Sequence, residues 1–190
     1  MTTRWAPAKK DTMREIATEI AHNYPRGRVV VAVDSDASVD GAAFSDDLVV
    51  ALGELGRSAF RASTVDFAKA TDDGAGTGVE EARRAESLDE SVLRRVLLEP
   101  FRLGGSTGWV PKAFDAVAGR AVQADWVTGP ADALLVIDGT ALNRPSLAGG
   151  WNYSLWLTAD RARTDLRARA MAVVDVSDPE HPRRVFDDAC

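Results

Sequence analysis

Two apolar runs constrain the fold more than anything else in this chain: VVVAV within Arg28–Val33, and ALLVI from Ala133 to Ile137. Neither run alternates polar with apolar residues. A strand with one wet face must alternate, so these two read as strands buried on both faces, as in a parallel sheet covered by helices. Ser58–Val65, Tyr153–Leu157 and Met171–Val176 read as three more strands. Helical spacing separates them. Met13, Ile16, Ala17 and Ile20 form a stripe over Thr12–Tyr24, with Asp11 as the expected cap. Phe44, Leu48, Leu52 and Leu55 form another, closed by Gly56. Ser87–Leu98 reads as a helix capped by Ser87 with Glu90 three residues on, and Ala159–Ala170 as an Arg-rich helix. Phe101–Gln123 reads as a hairpin-like excursion, and Thr71–Gly78 as a loop. Strands alternating with helices imply an α/β sheet with right-handed crossovers, which binds ligands at the carboxyl ends of its strands.

Bulk properties narrow the function classes. The 190 residues suit one domain, with 1–27 as an N-terminal helical extension and 28–190 as the α/β core. A net charge of −6 argues against nucleic acid or an anionic membrane as partner. The lone cysteine, Cys190, and an N-terminus without an apolar core segment fit a cytoplasmic protein. No run approaches the roughly 18 apolar residues needed to span a bilayer. His22 and His181 sit beside no ligand constellation, so no metal site is expected from them.

The stretch VVVAVDSDASVDGAAFSDDLVVAL, Val29–Leu52, has the strand–loop–helix form of a phosphate-binding cradle. Its loop, however, holds no lysine and carries Asp34, Asp36 and Asp40. At about 5 Å and an effective dielectric of about 20, each like-charge contact with a phosphate costs roughly 3 kcal/mol.

Several segments resemble the uridine-kinase-like branch of the P-loop kinases, over nearly the whole chain from Trp5 to about Arg184. The best piece is ADALLVIDGTALNRPSLAGGWNYSLWL, where Leu142, Arg144, Pro145, Leu147, Trp151, Tyr153 and Ser154 follow the family pattern. LLEPFRLGG with KAFD, and AVVDVSDPEHPRRV at the end, follow it as well. The resemblance implies a P-loop NTPase-like three-layer α/β/α fold with a five-stranded parallel sheet. It also assigns roles. The Walker loop falls on Ser35, Asp36, Ala37, Ser38, Val39, Asp40, Gly41 and Ala42, where no defining residue is kept: Gly41 stands for the lysine and Ala42 for the magnesium-binding hydroxyl. Val65 stands where the acceptor base belongs, with Asp66 beside it as a displaced candidate. Asp138 is the acid at the end of the central strand, near the magnesium of that family. Glu86, Asp89, Trp109, Asp115 and Arg144 mark the implied substrate pocket. Arg163 and Arg167 are the lid cations that remain after most of the lid is lost.

Loop, base and lid fail together, so the expected function is a uridine-kinase-like protein that has lost ATP-dependent phosphoryl transfer and acts through a protein partner or a small molecule. No cofactor is expected on that reading. An active uridine, cytidine or small-molecule kinase using ATP and Mg2+ stands as one alternative, and a different ligand-binding module on the same fold as another. No interface signal gives an oligomeric state.

Overall fold

The computed structural model describes residues 7–36, 38–69, 88–159 and 169–186. Ala37, Glu86, Ser87, Arg163 and Arg167, the loop Thr71–Gly78 and most of the Arg-rich helix lie outside the described residues.

A six-stranded sheet forms the centre. Its strands are β1 (Val29–Ser35), β2 (Ala59–Ser63), β5 (Leu134–Gly139), β6 (Tyr153–Thr158), β7 (Ala172–Asp175) and β8 (Arg183–Val185), in the spatial order β2-β5-β1-β6-β7-β8. Five run parallel. The expected five-stranded sheet is corrected by β8, which pairs antiparallel with β7 at the edge. Its three residues are half-buried, so they carry no apolar run to announce a strand. Every residue of β1 and all of β5 but its last, Gly139, are buried, which matches their composition: both lie centrally and are covered on both faces.

On one face pack α1 (Lys9–Asn23) and α2 (Gly41–Glu54). Met13, Ile16, Ala17 and Ile20 of α1 join one core cluster with Val29, Val31 and Val33, so the N-terminal helix is part of the core. Its cap is Ala8, and Asp11 sits in the first turn, where it still favours the helix dipole. Thr12 Oγ1 donates to the Pro182 carbonyl (2.8 Å), and Arg184 forms an ion pair with Glu19, which ties α1 to β8.

The other face is covered by α3 (Glu90–Val92), a π-helical turn Leu93–Leu98 and α4 (Glu99–Leu103). Pro100 explains the irregular turn. It has no N–H to give to the carbonyl of Val96, which instead accepts from Val110 N (2.8 Å). Between α4 and β5 the excursion forms a small hairpin, β3 (Phe114–Asp115) with β4 (Arg120–Ala121). Among the described residues no helix is long and apolar enough to cross a membrane.

Candidate functional site

The carboxyl ends of β1 and β5 meet at Asp34 and Gly139. Gly139 has to be glycine because a Cβ there would lie 2.1 Å from Thr64 Oγ1, on the turn that follows β2. That turn is a 3-10 helix, Thr64–Phe67, so β2 ends at Ser63 and not at Val65. Asp66 therefore does not obey strand alternation. It is half-buried and pairs with Lys112 at 3.2 Å. Val65 faces outward.

The loop after β1 is closed by its own bonds. Val39 N donates to Asp36 O (3.0 Å) and Gly41 N to Val39 O (2.9 Å). Asp40 caps α2: Ala43 N donates to its Oδ1 at 2.9 Å, and Phe44 N donates to its backbone carbonyl. Ser35 is buried against the helix start, and a Cβ on Gly41 would lie 2.9 Å from its Oγ. Ser38 and Ala42 are exposed.

Asp138, 7% exposed, is paired with the Arg61 guanidinium from β2, and its Oδ2 accepts from Ser63 Oγ (3.1 Å). Arg61 also donates through Nε to Asp46 Oδ1 (2.7 Å) and through Nη2 to the Ala42 carbonyl (3.2 Å). Burial works against its charge, but the hydrogen bonds to Asp46 and Asp138 outweigh burial and raise its pKa. Sequence reasoning missed Arg61. The available signal was a single charged residue inside the strand segment SAFRAS.

Asp34 is fully buried and ionisable. Its Oδ2 accepts from Asn143 N at 2.7 Å, while Oδ1 has no partner in hydrogen-bonding geometry. Burial pushes its pKa up to about 6, against the opposing pull of the nearby amides of Asn143, Leu142, Ser35 and Ala141. The carbonyls of the loop above it are held by arginines. Arg144 donates to Ala141 O, Arg102 to Gly149 O and Arg169 to Asn143 O.

Apart from Arg144, the other described sequence candidates do not gather at this edge. Asp89 caps α3, accepting from Val92 N at 3.0 Å. Asp115 holds the hairpin turn, and the amides of Ala118 and Val117 lower its pKa. Trp109 is fully buried, edge-on to Phe60 and Phe101 at 5.1 and 5.0 Å. Arg144 reaches Glu90 Oε1 at 3.3 Å. The loop above Asp34 also lines a cleft of about 480 Å³, with Asn143, Arg144, Trp151, Ser154 and Arg169 among its walls. Among the described residues no group of three His, Cys, Asp or Glu side chains is placed to hold a metal ion.

No family model matches the sequence, and no curated protein matches it. Solved structures do match. One is a possible uridine kinase from Bacillus stearothermophilus, with a TM-score of 0.64 and 17% identity over 85% of this chain and 86% of that one. Another is a candidate fructose transport system kinase from Silicibacter sp. TM1040, with a TM-score of 0.60 and 22% identity over 83% and 78%. At these identities the likeness establishes architecture alone: the chain shares the α/β fold of these solved kinase structures.

Proposed function

We propose that the chain is a uridine-kinase-like protein that has lost ATP-dependent phosphoryl transfer and works by binding a protein partner or a small molecule. One observation carries the reading: the loop between β1 and α2 is occupied by its own groups. In a working cradle the loop amides and the helix N-terminus face phosphate oxygens. Here Val39 and Gly41 donate to loop carbonyls, and the carboxylate of Asp40 takes the amide of Ala43. A nucleotide would have to displace one anion to place another, with no lysine to neutralise it.

The residues do not fit a magnesium nucleotide at the metal position either. Ala42 offers no hydroxyl, and Asp138 already meets a guanidinium. Asp66, the candidate base, is engaged by Lys112. On this reading the protein uses neither ATP nor Mg2+, acts in the cytoplasm, and has no nucleic-acid or membrane partner.

A coupled assay with uridine and cytidine tests the reading. The expected result is no turnover above a buffer control. Turnover that disappears in Asp138→Asn would restore the active-kinase alternative. The cleft beside Trp151 favours a second reading, a ligand-binding module on the same fold. A metabolite that raises the melting temperature of the wild type but not of Arg169→Met would support it.

A further inference from the structure

A divalent cation at the end of a central strand neutralises the strand-end acid and bridges it to the start of the helix after the phosphate loop. Arg61 meets both requirements from within the chain. Its Nη1 donates to Asp138 and to the Ala62 carbonyl (2.8 Å), its Nη2 to the Ala42 carbonyl (3.2 Å) and its Nε to Asp46 (2.7 Å). Four acceptors for five N–H groups leave the guanidinium nearly saturated. Both oxygens of Asp138 are engaged, because Ser63 Oγ donates to the second (3.1 Å).

This is not an ordinary surface pair. The Asp138 side chain is 9% exposed and that of Arg61 23%, so their attraction is only partly screened. Asp46 is 68% exposed and serves mainly to orient the fork. In register, Ser63 lies opposite Asp138 and Arg61 opposite Val136, so the arginine is delivered from the neighbouring strand two residues before that strand ends. A lysine there would supply the charge but not the planar fork that reaches a carboxylate and two carbonyls at once.

We propose that Arg61 is a tethered cation standing in the place of the divalent metal at Asp138, so that the carboxyl edge of β5 is balanced in charge, joined to α2 and closed to divalent ions. The proposal rests on the reading that this chain does not transfer phosphoryl groups, but its test is separate from that reading.

The test compares the wild type with Arg61→Met, Arg61→Lys and the double variant Arg61→Met/Asp138→Asn. Mn2+ binding is followed by electron paramagnetic resonance without nucleotide, and stability by urea unfolding with Mg2+ or with chelator. The wild type is expected to bind no Mn2+ at millimolar concentration and to unfold identically with Mg2+ or chelator. Arg61→Met should raise the unfolding constant about a hundredfold, because it strands a buried carboxylate. Asp138→Asn in the same chain should recover most of that loss, and Arg61→Lys should fall between. Mn2+ bound by the wild type overturns the proposal, and so does a double variant no more stable than Arg61→Met. If Arg61→Met does not fold, the wild-type Mn2+ measurement and Arg61→Lys still decide. ATP binding without bound Mn2+ would break the functional reading and leave the tethered cation standing.

Discussion

Two arginines hold the two ends of the sheet, and they do so by opposite means. Arg28 sits at the amino end of β1. It donates to the carbonyls of Gly129 (2.7 Å), Pro130 (3.1 Å), Phe101 (3.2 Å) and Gly105 (3.3 Å), and lies over the rings of Trp109 and Phe101 at 4.7 and 5.0 Å. These partners are carbonyl oxygens and aromatic rings, and burial lowers its pKa. Arg61, near the carboxyl end, is held by two carboxylates, and its pKa is raised. The amino end is a scaffold joint built from carbonyl dipoles and aromatic faces. The carboxyl end is a charge balance between one guanidinium and two carboxylates.

The largest expected effect breaks the comparison at the carboxyl end. Arg61→Met should cost about 3 kcal/mol in urea unfolding, and a second change at Asp138 should return most of it. If no acid neutralisation rescues the variant, the carboxyl end is a packing joint like the amino end. Asp34→Asn comes next, with the opposite sign. Burial raises the folded pKa from the usual 3.8 to about 6. The ionised form is therefore disfavoured in the fold. As pH falls from 7 through 6 to 4, the folded chain takes up a proton before the unfolded chain does, and stability rises. Asp34→Asn removes that slope and should gain about 2 kcal/mol at pH 7, read from unfolding at a series of pH values.

Arg28→Met should cost about 2 kcal/mol through lost hydrogen bonds and ring contacts. No single neutralising change elsewhere should rescue it, which sharpens the contrast with Arg61. Asp40→Ala should cost about 1 kcal/mol as a lost helix cap, measured by thermal unfolding. It is the smallest effect, and the most informative about the loop, since it removes the internal anion from the helix N-terminus.

The central strands were legible because burial on both faces leaves no room for alternation, and RVVVAV and ALLVI say so directly. The edge was not. β8 is half-buried and three residues long, and its pairing depends on β7. Capping was read from the nearest polar residue at Asp11, whereas the helix begins earlier, at Lys9, because its first turn is tied to Glu180 by Lys9 N. On the proposed reading, the site was legible as a set of missing parts: Gly41 for a lysine, Ala42 for a hydroxyl. What replaces them was not legible. The carboxylate partners of Arg61 lie 15 and 77 residues away along the chain, and only the sheet register brings Asp138 opposite Ser63. Trp109 shows the converse. The resemblance implied a place in the substrate pocket, but the excursion folds it into the core between Phe60 and Phe101.

Titration of the wild type with ATP and Mg2+, following the backbone amides from Ser35 to Ala42 by NMR, tests the central claim most directly. The account predicts no amide shift at millimolar nucleotide, because the amides of Val39, Gly41, Ala43 and Phe44 are already bonded within the chain and an internal anion caps the helix. Saturable shifts of those amides that require the β- and γ-phosphates would contradict it.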